Sequence, residues 1–260
     1  MMERIYTERA APVLREACVS STNTLLKQLS LQGAEHGTVL TAHTQTGGRG
    51  LLGRSFVSPS GGLYLSMLLC PDCAAEDILT LTPCTAVAVC RAIEKVCGIS
   101  PGIKWPNDLI YGGKKICGIL SESVYGAALK VILGIGINVN TPSEAFPDEL
   151  RDIASSVFAL TGKETDTDGL CRAVIDELDS MYHSWSRNHR YCIEEYRRRC
   201  INTGRDVLII RNGASTPAKA LFITDDFALR VRYADGAAED IAWGEVSVRS
   251  ASLSEEAENG

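Results

Sequence analysis

Arg49 and Arg54 lie in the stretch Thr46-Gly47-Gly48-Arg49-Gly50-Leu51-Leu52-Gly53-Arg54-Ser55-Phe56. A guanidinium keeps its charge and grips a carboxylate or phosphate through a planar fork. Glycines beside it let backbone N–H groups approach the same anion. The stretch is too rich in glycine for a helix interior, where each costs roughly 1 kcal/mol relative to alanine. It therefore reads as a loop suited to an anion; the plainer alternative is an exposed turn with two solvated arginines. No Gly-Lys-Ser/Thr follows, so it is not a P-loop, and the spacing fails the dinucleotide fingerprint.

Three more clusters carry usable chemistry. Lys104-Trp105-Pro106-Asn107-Asp108 joins a stiff Trp-Pro segment to two turn formers. A capped turn before a hairpin explains the Asn and Asp, but not the Lys and Trp. Lys114-Lys115-Ile116-Cys117-Gly118-Ile119 puts its two lysines on opposite faces of a strand, so only one can enter a site. Lysines that protect an edge strand are the alternative. Ser20-Ser21-Thr22-Asn23 offers more hydrogen-bonding groups than one helix cap needs.

These clusters need elements to hold them. The patterns predict a strand over 14–19, a helix over 24–31, and a strand over 38–42 that delivers the chain into the Gly/Arg loop. A buried strand is expected over 62–69 and a long core helix over 76–96, ended by Gly98. A hairpin follows, with strands over 109–111 and 114–124 about Gly112-Gly113, then a strand over 129–138. Gly134 and Gly136 inside that strand mark close approach of a ligand or backbone. Helices are expected over 170–185 and 191–200. After Gly204 the chain breaks into short strand-like runs over 207–211, 218–223, 228–233 and 245–248. Asn212-Gly213 and Asp235-Gly236 are hairpin signals. The expected organisation is a main domain over 1–203, a small all-β barrel over 204–250 and a frayed acidic tail over 251–260.

Composition narrows the function. The 260 residues are 45% hydrophobic and 22% charged, ordinary for a globular fold. A net charge of −6 argues against nucleic acid as the main partner, because phosphate binding needs surplus cations. No apolar run spans a membrane and no signal core opens the chain. The ten cysteines then point to a reducing cytoplasm. Cys70-Pro71-Asp72-Cys73 lacks the second pair that zinc needs, and the four histidines show no ligand spacing, so no metal site is expected. Nothing resembles a nucleophile elbow or a catalytic triad.

Taken in order, the motifs resemble the biotin protein ligases. The matching residues are Ser21-Thr22-Asn23, Gln45, Gly48-Arg49-Gly50 with Gly53-Arg54, Lys104 to Asp108, Lys115 to Leu120, Gly134 to Asn138 and Gly244 to Ser250. The resemblance implies an α+β fold: a mixed-sheet catalytic domain like that of the biotin and lipoate protein ligases, followed by a small SH3-like β-barrel. It implies a ligase without the N-terminal DNA-binding domain that some members carry. The implied activity makes biotinyl-5′-AMP from biotin and ATP, with Mg²⁺, and passes biotin to a lysine of a biotin carboxyl carrier domain. Ser21, Thr22, Asn23, Gln45, Gly48, Arg49, Gly50, Lys115, Gly118 and Gly136 are the implied biotin contacts. Arg54, Lys104, Asn107, Lys115, Asn138 and Arg249 are the implied ATP contacts. Lys115, Arg49, Arg54 and Asp108 are the implied catalytic set.

One position departs from the family. It usually reads Gly-Arg-Gly-Arg-x-Gly-Arg-x-Trp, whereas Leu51 replaces the second arginine here and Phe56 the tryptophan. The loop loses a cation, from which looser retention of the adenylate is expected. A lipoate–protein ligase and a non-catalytic biotin-binding regulator are the competing readings. A homodimer is also expected to be possible, through edge-to-edge pairing of a strand such as 129–138.

Overall fold

The computed structural model describes residues 2–126, 128–211 and 213–242, and the backbone of 247–250. Eight strands form the first sheet: β1 (Glu3–Ile5), β2 (Val13–Val19), β3 (Val39–Gln45), β4 (Leu63–Leu69), β5 (Gly102–Lys104), β6 (Asp108–Tyr111), β7 (Lys114–Val124) and β8 (Lys130–Ile137). Their order is β1-β2-β3-β4-β8-β7-β6-β5. The β2–β3 pair is parallel, because α1 (Thr22–Leu31) makes the crossover between them, and the other neighbours are antiparallel. The sheet is therefore mixed, as expected. β8 lies between β4 and β7, so the expected edge-to-edge pairing through that strand is closed to it. Its hydrophobic run signalled a buried central strand, not an edge.

The period of two sorts the residues of this sheet. Leu63, Leu65 and Met67 on β4 and Leu133, Ile135 and Ile137 on β8 join one large core with α2 (Leu81–Cys97) and α4 (Thr167–Trp185). α2 follows a 3₁₀ turn at Asp77–Thr80, so the expected helix begins late. It ends at Gly98 with φ 68°, a left-handed position that suits glycine. On the other face, Leu26 of α1 packs with Leu40, Leu68, Val124 and Ile132. Tyr64, Ser66, Gly118, Glu122, Gly134 and Gly136 occupy that second face, and the site is built there.

After the short helices α3 (Val157–Thr161) and α5 (Ile193–Arg199), a second sheet holds β9 (Asp206–Arg211), β10 (Ala214–Ile223), β11 (Leu229–Tyr233), β12 (Ala238–Ile241) and β13 (Ser247–Ser250). The expected barrel is not closed. The order is β12-β11-β10-β9-β13, all antiparallel, and among the described residues the edge strands β12 and β13 do not pair. Turn signals specify antiparallel neighbours, but closure depends on tilt and shear that no local signal encodes. The sheet covers its apolar face in another way. Val207, Ile209, Ala220, Leu229 and Val231 join the main core. Phe227 packs edge-on to Tyr196 at 5.4 Å and accepts a 3.0 Å hydrogen bond from Trp105 Nε1 through its carbonyl.

Candidate active site

The corner where α1 begins is a continuous hydrogen-bonded network. Ser21 caps the helix, its Oγ accepting from Thr24 N at 3.4 Å. Thr22 and Asn23 are the first helical residues, both buried and turned onto the sheet. Gln45 Oε1 accepts from Thr22 N at 2.8 Å and Thr22 Oγ1 at 3.2 Å, and Gln45 Nε2 donates to Ser58 Oγ at 2.9 Å. Ser66, fully buried on β4, holds its Oγ 2.5 Å from Asn23 Oδ1 and 2.7 Å from Thr22 Oγ1. Ser21 thus does the capping, and Thr22 and Asn23 turn their polar groups inward onto Gln45, Ser66 and Glu122. Gly134 makes room for this: a Cβ there would stand 2.2 Å from Asn23 Oδ1.

The Gly/Arg stretch is a folded knuckle, not an open cradle. Phe56 N donates to Gly48 O at 2.9 Å, Gly50 N donates to Arg54 O at 2.7 Å, and Arg49 bridges to Ser55. A 3₁₀ turn, Leu51–Gly53, forms the tip. A Cβ on Gly48 would stand 2.3 Å from Phe56 O, so the fold-back needs glycine there. A groove of about 340 Å³ runs along Gln45–Gly48 and Ser55–Pro59. The Phe56 ring reaches the sheet and lies over Gly118 and Gly136; an added Cβ would be 3.0 and 2.5 Å from it. The space above those glycines is therefore filled by the protein's own ring. Tyr64 meets the same ring edge-on at 6.4 Å. Burial pushes its phenol well above the usual range, so it stays protonated and donates to Pro59 O at 2.6 Å.

Lys115 stands beside this ring. Its Nζ is 2.6 Å from Asp108 Oδ1 and 5.7 Å from the Phe56 centroid, within cation–π range. Its backbone is fixed by Ile153 and Ser155 at 2.9 Å each. Lys114 points away and donates to Arg151 O at 2.5 Å. Of the two lysines, Lys115 is the one brought to the site. Between them the neighbouring motif residues are structural. The Cys117 thiol is wholly buried, and burial pushes it up, away from the reactive thiolate. Trp105 is 2% exposed and bonded to Phe227 in the turn between β10 and β11, which explains the tryptophan that a simple turn left unexplained.

The remaining assigned residues are spread around this centre. Lys104 pairs with Asp108 across the β5–β6 ladder. Asn107 Nδ2 donates to Ile119 O, and Asn107 O accepts from Ile119 N at 3.1 Å, so this asparagine pins β7. Asn138 is 3% exposed; its Nδ2 donates to Ser155 O at 3.0 Å, while its buried Oδ1 has no partner among the described residues. Arg54 is exposed on the knuckle. Leu51 lines a crevice of about 170 Å³ with Ile78, Leu79, Pro106 and Leu120. The side chain of Arg249, and residues 244–246 of the same motif, lie outside the described residues. Among the described residues no three His, Cys, Asp or Glu side chains are grouped to hold a metal, and all ten cysteines are free.

Two residues at the site escaped sequence reasoning. Ser66 is a lone hydroxyl in an apolar strand. Glu122 sits in the polar run Ser121-Glu122-Ser123 near the end of β7. Glu122 Oε2 accepts from Asn23 Nδ2 at 2.7 Å, and Oε1 is 3.8 Å from Arg49 Nη1. The available signal was a polar residue on the ligand side of a period-two strand.

Comparison with known proteins gives a consistent result. The biotin/lipoate A/B protein ligase family matches residues 16–140. The bifunctional ligase/repressor BirA of Bacillus spizizenii is 39% identical over 170 residues, which are 64% of this chain and 52% of that protein. The chain thus spans about half the length of that relative. The biotin–[acetyl-CoA-carboxylase] ligase of Mycobacterium tuberculosis is 30% identical over 200 residues, 74% of this chain and 72% of that protein. The structure of the Aquifex aeolicus biotin protein ligase in complex with biotin and ATP superposes with a TM-score of 0.82. Its identity is 29%, covering 92% of this chain and 99% of that one.

Proposed function

The chain belongs to the biotin protein ligase family, and from that premise we propose that it is an ATP-dependent biotin–protein ligase. In the first step a biotin carboxylate oxygen attacks the α-phosphorus of ATP, giving biotinyl-5′-AMP and pyrophosphate. In the second, the neutral ε-amine of a lysine on a biotin carboxyl carrier domain attacks the biotinyl carbonyl, loses its proton, and AMP leaves. The observation that carries the reading is Lys115, held 2.6 Å from Asp108 beside the Phe56 ring, on the face of the sheet where Thr22, Asn23, Gln45 and Ser66 form their hydrogen-bonded network.

Each step joins or separates anions, so positioned cations are the catalytic need. Lys115 is assigned to the biotin carboxylate and the α-phosphate, with Asp108 fixing the direction of its ammonium. Arg49 and Arg54 are assigned to charge neutralisation as the knuckle settles over the adenylate. Ser21, Thr22, Asn23 and Gln45 are assigned to the ureido head, which has two N–H donors and one carbonyl. Gly48 and Gly50 shape that wall, and Gly118 and Gly136 form the floor under Phe56. The orphaned Asn138 Oδ1 is an acceptor suited to the amino group of adenine. Lys104, Asn107 and Arg249 complete the nucleotide side of the reading. Mg²⁺ is taken to arrive on the ATP phosphates. Residues 1–203 are read as the catalytic unit and 204–250 as a smaller unit joined to it at Trp105. Ten free thiols suit a cytoplasmic setting.

Biotin-dependent pyrophosphate release from ATP tests this, with lipoate as the competing acid. Release with biotin and none with lipoate is expected. Release with lipoate alone favours the lipoate ligase reading, and tight biotin binding without release favours a non-catalytic regulator.

A further inference from the structure

Asp108 aims Lys115, and the turn that delivers Asp108 is held by groups from later in the chain. Trp105, Pro106 and Asn107 join β5 to β6, and Asp108 follows as the first residue of β6. Three successive residues of the turn each have a backbone group fixed by a hydrogen bond. Trp105 N donates to Asn202 Oδ1 at 2.7 Å, Pro106 O accepts from Tyr196 Oη at 2.9 Å, and Asn107 O accepts from Ile119 N at 3.1 Å. Ile119 belongs to the sheet that builds the site, but Tyr196 belongs to α5 and Asn202 lies between α5 and β9. Both are buried. Burial pushes the Tyr196 phenol far above its usual range, so it stays protonated and donates. The helix that carries it has seven residues, too few to hold itself. Ion pairs fix it to α2 instead: Arg199 Nη1 reaches Glu94 Oε1 at 2.7 Å, and Arg91 pairs with Glu195, the residue before Tyr196. Arg199 Nη2 also donates to Glu195 Oε1 at 2.9 Å, which closes the network. The Tyr196 hydroxyl is thus a fixed point against which the Pro106 carbonyl is placed.

We propose that Tyr196 and Asn202 are positioning residues: by holding Pro106 O and Trp105 N, they set the turn that points Asp108 at Lys115. The proposal rests on the role given to Lys115 in the ligase reading. Tyr196→Phe isolates the contact, because phenylalanine keeps the ring and its edge-on packing with Phe227. The Pro106 carbonyl then loses a buried donor. The turn relieves that loss by moving, and Asp108 moves with it. Alignment matters to rate out of proportion to stability: a misplacement of about 1 Å costs on the order of 10²-fold. With Trp105 N and Asn107 O still held, the expected loss is smaller.

Two readouts test this, one of which needs no substrate. Acetylation of Lys115 by acetic anhydride, taken relative to the exposed Lys27 and read by tandem mass of peptides, reports how firmly Asp108 holds the Lys115 side chain. Asp108→Asn sets the ceiling, a rise of about fivefold, the upper range for a partly exposed ion pair. Tyr196→Phe and Asn202→Ala are each expected to raise the ratio about two- to threefold. Tyr196→Phe added to Asp108→Asn is expected to raise it no further, because both act on one contact. Val174→Ala, a core change in α4 that lowers stability without touching the turn, is expected to leave the ratio unchanged. Single-turnover pyrophosphate release is the second readout. Tyr196→Phe is expected to lose about three- to fivefold in rate, to bind biotin in calorimetry within about twofold of wild type, and to add nothing to the loss in Asp108→Asn. Should Tyr196→Phe fail to fold, Asn202→Ala takes its place in both readouts. An unchanged Lys115 ratio in either folded variant overturns the proposal, as does an equal rise in Val174→Ala. A wild-type rate in Tyr196→Phe, a biotin affinity that falls in step with the rate, or additive effects with Asp108→Asn overturns it too. If the wild type releases no pyrophosphate while the Lys115 ratios shift as expected, the ligase reading fails and the placement of Lys115 through this turn stands.

Discussion

Replacing Lys115 with methionine separates catalysis from stability. Methionine keeps the length and the apolar contact beside Phe56 and Gly118, and removes only the ammonium. The stability cost is small. The Lys115 and Asp108 side chains are 31% and 25% exposed, so water can solvate the carboxylate left behind. A pair of this kind is worth about 1 kcal/mol or less, or a melting shift of roughly 2–4 °C in a chain of this size. The catalytic cost is larger. A preorganised donor aimed at developing charge is worth roughly 3 kcal/mol, or 10²- to 10³-fold in rate. Single-turnover pyrophosphate release, beside a thermal melt, measures both. Lys115→Met is expected to melt within a few degrees of wild type and to lose at least a hundredfold in rate. Asp108→Asn keeps the cation but loosens its aim, and is expected to lose about tenfold. More than a tenth of wild-type rate in Lys115→Met refutes the role given to this lysine.

Three other outcomes follow from particular contacts. Leu51→Arg returns a cation to the knuckle and is expected to slow release of the bound adenylate; an unchanged off-rate rejects the expectation drawn from that position. Trp105→Ala removes a side chain that is 2% exposed and ties the β5–β6 turn to the β10–β11 turn, and is expected to cost about 3–5 kcal/mol and roughly 10 °C of melting temperature; a fall under 3 °C contradicts that joint. Acid stability involves Glu94, which the hydrogen-bonded Arg199 guanidinium, opposed by burial, holds below the usual carboxylate range. Because the folded value is depressed, its contribution is complete above the unfolded value of about 4.3 and is lost as pH falls through the folded one. Glu94→Gln is therefore expected to melt lower than wild type at pH 7, with the gap closing toward pH 3. A gap independent of pH counts against this.

What was legible in the sequence was what residue type and short spacing decide. That Thr22 and Asn23 exceed what one helix cap needs, and that only one of Lys114 and Lys115 can enter a site, follow from a helix start and a strand's period of two; Gln45 and Lys115 themselves come from the family resemblance. The apolar run of β8 also signals a central position, against the edge pairing expected of it. Ser66 and Glu122 were not legible. Each is one polar residue in a strand, and its meaning comes from partners 43 and 99 positions away in Asn23. Closure of the second sheet was out of reach for a related reason: hairpin turns fix neighbours, not the curvature that brings β12 to β13. The Phe56 ring over Gly118 and Gly136 shows the same limit. The glycines announced a close approach, but what approaches is a side chain of the protein itself.

The most direct measurement is transfer. The protein is mixed with ATP, Mg²⁺, biotin and a biotin carboxyl carrier domain, and the intact mass of the carrier is read. The account predicts one biotinyl increment on the carrier, absent without ATP, absent when the acceptor lysine is replaced, and absent with lipoate in place of biotin. A carrier of unchanged mass, under conditions where an active relative modifies it, contradicts the ligase assignment.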